Sequence, residues 1–514
     1  MKSKYQRIYI IIIIAVVYTM LFNMKLIMAD LGQLEDVVQS FKEFIHRYLG
    51  SILFSFIFFF AFSFNKVLYS IITIITFICS AIGAYFVYHY QIRINYYTVT
   101  SFLHANQEEC LHFINMHFLG YLLLAIIVAI WAVILFIKYD YSHPSYSKLS
   151  FVSMAFVIFA VILGGVDITE HYLPYNYLEG TYRALTHNSS KNVNKIVQDI
   201  SLEEGVKNLD VVIIIGESAR YDHFHINGYP RNTSPQLDKI SNLISFSKMQ
   251  ACNNFTFHAV PCLLCLNYNE YKPNNVFGPS IIQVLNQLNF VTSWIATQGS
   301  NSAYETSFNN IANANKYKTL IHYYIDKNDV YDLEIIPFLE QKLLQVSGNQ
   351  LIILHTRGSH FHYEWRYTKE FKKFTPICER KFFNWQIGHC TDDEIINSYD
   401  NTILYTDEVI NAVIERMRNR NAIVIYVSDH GESLGENGIY LHGTKLTPEQ
   451  LHVPLFIWAS DNFIKNNSKK FEALRYNKNK NISYMHMFHT ILDCIGIKST
   501  IINPNMSLCN ITAN

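Results

Sequence analysis

The chain has 514 residues, 50% of them hydrophobic and 15% aromatic, with 41 basic and 41 acidic side chains and therefore a formal net charge of zero. That length exceeds one ordinary domain of about 100–200 residues, and the charge balance gives no bulk attraction to a nucleic acid. The mean hydropathy of +0.10 averages an apolar first third and a remainder with the composition of a globular protein.

Five apolar segments, near 8–28, 50–64, 67–89, 117–137 and 151–168, predict a transmembrane domain over residues 1–170. Most approach the ~20 residues that span a bilayer, and the second is short. Lys2, Lys4 and Arg7 give the first segment the basic start of a signal peptide, but no small-residue cleavage site follows and four more segments do. A retained anchor is the better reading. Those residues, Lys66, and Lys138 with Lys148 mark the cytoplasmic ends by the positive-inside rule. Five crossings then deliver the rest of the chain to the opposite face, which in a bacterium is the periplasm. Between spans, Leu34, Val37, Val38, Phe41, Phe44 and Ile45 repeat at helical spacing and predict an amphipathic interfacial helix over 31–49. Asn106, Glu108 and Glu109 sit just before a later span, as a solvated helix cap or as contacts to a lipid headgroup.

Residues 171–206, with the Asn-rich "THNSSKNVNK", read as a linker, and 207–514 as a soluble domain. Apolar runs at Val211–Ile215, Phe290–Ile295, Leu351–Leu354, Ile423–Val427 and Leu455–Trp458 alternate with helical stretches such as Ile281–Leu288. Short strands buried on both faces and separated by helices predict an α/β fold with a mainly parallel sheet, which collects ligands beyond the carboxyl ends of its strands.

Chemistry-bearing residues cluster at those ends. Glu217 and Ser218 follow the first strand. Asp429 and His430 follow the fourth, with His442 thirteen residues beyond Asp429, while His355 and His360 follow the third. Carboxylate and imidazole donors emerging together suit Zn²⁺. A hydroxyl beside such a metal becomes a nucleophile, and Thr256 in "ACNNFTFHAVPC" is the candidate, in a segment without helix or strand period before Pro261. His258, His355, His362 and His452 read as packed or solvent-bonded imidazoles, with His362 and His452 able to line the cleft.

"GESAR" with "NGYPRNTSP", "VPC" at 260–262, "GSH" at 358–360, "NSYDNTILYTD" at 397–407 and "SDHGESLGENGIYLHG" followed by "HVP" together resemble the phosphoethanolamine transferases of Gram-negative envelopes. That family includes lipid A modifying enzymes and the mobile colistin-resistance enzymes. The resemblance implies a five-helix N-terminal transmembrane domain and a periplasmic α/β domain of the alkaline phosphatase/sulfatase type. It implies Zn²⁺ held by Glu217, Thr256, Asp429 and His430, with Thr256 carrying the transferred group. His360 and His442 would bind the phosphate or a second, looser zinc, and Asn106 and Glu109 would face the lipid donor. The implied donor is phosphatidylethanolamine, and the acceptor is lipid A or a core sugar in or on the inner membrane. Two disulfides are implied, Cys252 with Cys262 and Cys378 with Cys390, leaving Cys265, Cys494 and Cys509 unassigned. The chain departs from the family pattern around Thr256 and at "WIATQGSNS", where the family has "WRDNNS". A membrane-anchored zinc phosphatase or sulfatase-like hydrolase is the nearest alternative, and an inactive lipid-binding scaffold the more distant one.

Overall fold

The computed structural model describes residues 6–31, 37–90, 92, 94–104, 114–138, 144–163, 172–186, 196–267, 278–298, 311–312, 314–321, 330–379, 390–443 and 446–511. The chain divides into two units, the first comprising Met1–His187 with Lys381–His389 and the second Asn188–Arg380 with Cys390–Asn514.

In the first unit, α1 (Gln6–Tyr18) runs through a π turn at Thr19–Asn23 into α2 (Met24–Leu31). It is followed by α3 (Val37–Ala61), α4 (Lys66–Tyr90), α5 (Tyr96–His104), α6 (Met116–Lys138), α7 (Pro144–Leu163) and α8 (Tyr175–Thr186). Along α6 the buried Ala125, Ala129, Ala132 and Phe136 recur every three or four residues, whereas Leu123, Leu124, Ile127 and Ile130 are exposed. Small residues inward and large apolar residues outward suit a helix whose outer face meets lipid.

Two predictions for this unit need correction. From Val37 on, the interfacial helix expected over 31–49 runs without a break into the short span expected at 50–64, as the single element α3. Gly50 is the only helix-weakening residue between them, and it is used for packing: a Cβ there would lie 3.1 Å from the Tyr172 hydroxyl. Among the described residues four helical stretches are long and apolar enough to cross a membrane, Gln6–Asn23, Gln39–Ala61, Lys66–His89 and Met116–Lys138. In α7 the apolar stretch is Ser147–Ile162, shortened by the polar first turn after Pro144. The predicted linker begins within this unit. Asn23 holds both backbone groups of Leu173 at 2.9–3.0 Å, and Tyr175, at the start of α8, is buried against Phe58.

The second unit is built on a seven-stranded sheet. Its strands are β1 (Leu209–Gly216), β2 (Leu243–Phe246), β3 (Val291–Ala296), β4 (Tyr317–Leu320), β5 (Gln350–His355), β6 (Asn421–Ser428) and β7 (Leu455–Ala459), in the order β2-β7-β6-β1-β5-β3-β4. From β6 to β4 neighbours are parallel, and β7 is antiparallel to both β6 and β2. All eight residues of β1 are buried, as a central strand covered on both faces requires. One face packs on α9 (Thr256–Leu264), α10 (Ile281–Gln287) and a later helix at Tyr484–Cys494 through Val211, Ile213, Ile353 and Ile425. Against the sheet also pack α11 (Ile335–Gln345) and α12 (Asp392–Met417). Capping boxes set two of these helices, Ser280 with Gln283 and Thr391 with Glu394.

Candidate active site

Register places the first two site residues side by side. Gly216 pairs with Ser428 across β1 and β6, so Glu217 and Asp429 leave adjacent strands together, and the Asp429 N–H donates to the Gly216 carbonyl at 3.0 Å. Position 216 has to be glycine, because a Cβ would overlap the Tyr426 hydroxyl. Ser218 then adopts a left-handed φ of 56°, and its N–H donates to Asp429 Oδ1 at 3.1 Å while its hydroxyl donates to Glu217 Oε1 at 2.9 Å.

Thr256 is the first residue of α9, which corrects the irregular segment expected there; the helix forms in spite of Pro261 inside it. Cys252 and Cys262 are bonded across this turn. The Thr256 hydroxyl donates to Glu217 Oε2 at 3.1 Å, and the Gln298 amide donates to the same oxygen at 2.8 Å. A helix amino terminus beside the hydroxyl favours negative charge developing on it.

His430 faces both carboxylates, its Nε2 lying 3.3 Å from Glu217 Oε1 and 3.4 Å from Asp429 Oδ2. Its Nδ1–H donates to the Gly431 carbonyl at 2.8 Å, which leaves the Nε2 lone pair toward the carboxylates. Asp429 Oδ2 and His430 Nε2 are buried without a hydrogen-bond partner among the described residues. Buried lone pairs opposed in this way call for a cation between them, and the mixed oxygen and nitrogen set fits Zn²⁺. His442 completes the group: ligand atoms of Glu217, His430 and His442 lie within 4.8 Å of one another.

The His442 ring lies tilted beside that of His430 at 4.1 Å between centroids, and the His360 ring lies 5.7 Å from that of His442. Both outer imidazoles are oriented through Nδ1, that of His442 on Glu432 Oε1 at 3.2 Å and that of His360 on the Phe361 carbonyl at 2.6 Å. Burial pushes His360 and His442 down to about 3, so each is neutral with its Nε2 lone pair available. In His430 burial works against the charge, but Asp429 and Glu217 outweigh it and raise the pKa.

Six strand-end and loop residues predicted from sequence, Glu217, Thr256, His360, Asp429, His430 and His442, thus meet at one place. Asn106 and Glu109 lie outside the described residues. His355 is buried at the end of β5 against Trp294, His362 packs on Trp365, His258 is buried on α9, and the His452 Nε2–H donates to the Ser247 carbonyl while its ring stacks on Tyr221. Cys378 is bonded to Cys390, and Cys494 to Cys509. Sequence reasoning missed Gln298, two residues past β3, and Glu432, inside the same "DHGES" stretch as His430. Position after a strand was a usable signal for the first.

A mainly parallel sheet carrying this constellation at its strand ends, preceded by apolar helices, defines a protein of the alkaline phosphatase/sulfatase class with an N-terminal membrane domain. The sulfatase family profile matches residues 210–497, and the profile described as phosphoethanolamine transferase EptA/EptB matches 52–188. The chain belongs to the sulfatase family. It is 34% identical over 373 residues to a Kdo(2)-lipid A phosphoethanolamine 7''-transferase of Escherichia coli K12, covering 68% of this chain and 64% of that protein. The chain therefore spans a little under two thirds of that relative's length. The integral membrane lipooligosaccharide phosphoethanolamine transferase A of Neisseria meningitidis has the same fold, with a TM-score of 0.80 at 21% identity over 97% of this chain and 98% of that one. The periplasmic domain of EcEptC from Escherichia coli, solved in complex with Zn, matches 61% of this chain and 89% of its own with a TM-score of 0.54 and 24% identity.

Proposed function

We propose that the chain transfers phosphoethanolamine from phosphatidylethanolamine to lipid A or a core sugar through a phospho-Thr256 intermediate, on the periplasmic side of a five-span inner-membrane anchor. The observation that carries the reading is the Thr256 hydroxyl on Glu217, beside Asp429 Oδ2 and His430 Nε2, which are buried without a hydrogen-bond partner among the described residues. Glu217, Thr256, Asp429 and His430 would hold Zn²⁺, a reading supported by the zinc complex of the related EcEptC domain. Bound zinc would lower the cost of removing the Thr256 proton and offset charge on the phosphoryl oxygens.

The remaining steps belong to the side chains. Thr256 Oγ1 attacks the donor phosphorus and the bond from phosphorus to the diacylglycerol oxygen breaks. Nε2 of His360 or His442 takes the Thr256 proton and returns it to the diacylglycerol alkoxide. An acceptor hydroxyl then attacks phospho-Thr256, the bond to Oγ1 breaks, and the acceptor's proton passes through the same imidazole to Oγ1, which regenerates Thr256. Glu432 keeps the His442 Nδ1–H engaged, so that ring presents Nε2 throughout.

The test is expression of the full chain and of Thr256→Ala in a Gram-negative host, followed by mass spectrometry of lipid A and core oligosaccharide. The expected result is one added phosphoethanolamine in one fraction, absent with Thr256→Ala. Release of free phosphoethanolamine with neither fraction labelled would replace the transferase by a hydrolase.

A further inference from the structure

Asp332 begins the short turn that leads into α11 and is 4% exposed. A carboxylate at a helix start ordinarily serves that helix's own N–H groups. This one binds two distant loops instead. Asp332 Oδ1 accepts from the Thr297 hydroxyl and from the Arg357 N–H at 2.9 Å, and Oδ2 accepts from the Gly358 N–H at 2.9 Å. Thr297 directly follows β3, and Arg357 and Gly358 lie two and three residues past β5. Their separations from Asp332 are 35, 25 and 26 residues.

Both loops end on Glu217. Next to Thr297, the Gln298 amide donates to Glu217 Oε2. Next to Gly358, the Ser359 N–H donates to the Glu217 carbonyl at 2.8 Å, and His360 follows. Gly358 lies so close to Glu217 that a Cβ would stand 2.7 Å from its carbonyl oxygen and 2.8 Å from its nitrogen, and its φ of +48° is left-handed. The backbone and the carboxylate of Glu217 are therefore each held by a loop that Asp332 fastens.

We propose that Asp332 is a positioning residue, which fixes the Glu217 carboxylate for metal binding by clamping the loops after β3 and β5 to each other. The inference rests on the reading of Glu217 as a zinc ligand, and it concerns metal affinity rather than transfer.

The test is Zn²⁺ affinity, by competition with a chromophoric chelator, of the full-length chain in detergent as wild type, Asp332→Asn, Thr297→Val and Thr297→Ser. Asp332→Asn is expected to weaken Zn²⁺ binding about 10- to 100-fold, the range for partners behind a metal ligand, while far-UV circular dichroism stays that of wild type. Thr297→Val should weaken binding in the same direction, and Thr297→Ser, which keeps the hydroxyl, should restore it. A merely structural Asp332 would lower the melting temperature and leave the affinity of the folded protein unchanged, and that result overturns the proposal. If Asp332→Asn does not fold, unchanged affinity in Thr297→Val overturns it. Wild type that binds no Zn²⁺ would instead refute the metal site, and wild type that binds Zn²⁺ without transferring would refute the proposed reaction alone.

Discussion

His355 illustrates how a residue of the right type at a strand end can serve stability instead of chemistry. It is wholly buried at the end of β5 with its ring against Trp294, and burial pushes its pKa down to about 4, with Glu217 opposing the shift. The unfolded chain takes up this proton near pH 6.5 while the folded chain resists until about pH 4. Stability is therefore full above pH 6.5 and is lost as pH falls toward 4, by about 2 kcal/mol at pH 5. Chemical denaturation of the detergent-solubilised chain at pH 7 and pH 5 should show His355→Gln losing less stability on acidification than wild type, by roughly that amount. Equal losses would mean that His355 finds a proton acceptor in the folded state. Residues such as Glu217, Asp429 and His430 were legible in the sequence because an apolar run ending in a carboxylate or imidazole is a local pattern. Asp332 and Gln298 were not, because their roles depend on donors or acceptors many residues away that only the folded sheet brings near.

Among the elements, five strands were legible as continuous apolar runs, and the two edge strands were not. Tyr317–Leu320 is largely polar, and Leu243–Phe246 alternates between half-buried and buried positions, so neither stands out by composition. The α9 helix was hidden by Pro261, which counts against a helix locally but is outweighed by burial of Val260 through Leu264 in the main core. The long α12 helix was legible only as a motif, and its interior carboxylate explains why a polar run lies buried. Asp407 Oδ1 accepts the Leu237 N–H and Oδ2 the Gln236 N–H, both at 2.9 Å, which fastens the loop before β2 to α12. Asp407→Asn keeps one acceptor for two donors, the Leu237 N–H buried and the Gln236 N–H half-buried, and should cost about 1–3 kcal/mol. Denaturation midpoints should fall accordingly with the slope unchanged, and an unshifted midpoint would mean that the loop finds other acceptors.

At the scale of the whole molecule, the parity of membrane crossings decides which compartment the second unit occupies. Among the described residues four helical stretches are long and apolar enough to span, and α7 carries a shorter apolar stretch, Ser147–Ile162. If α7 does not cross, the second unit shares a face with the amino terminus and with Lys2, Lys4 and Arg7, which the positive-inside rule assigns to the cytoplasm. Three cystine bridges in that unit, Cys252–Cys262, Cys378–Cys390 and Cys494–Cys509, argue for the other face, since thiols in a bacterial cytoplasm are kept reduced. A helix of 20 residues rises about 30 Å, enough for the hydrocarbon core, so α7 can span if its polar first turn sits at the headgroups. Lys138 and Lys148 flank the segment before it, on the side expected to be cytoplasmic. Fusing a reporter that is active only in the periplasm after Asn514 should give full activity, and one that fluoresces only in the cytoplasm should stay dark there. Fusing the same pair after Lys138 should reverse both signals. A fluorescent carboxyl-terminal fusion would reduce the crossings to four and leave the site without access to lipids on the periplasmic leaflet.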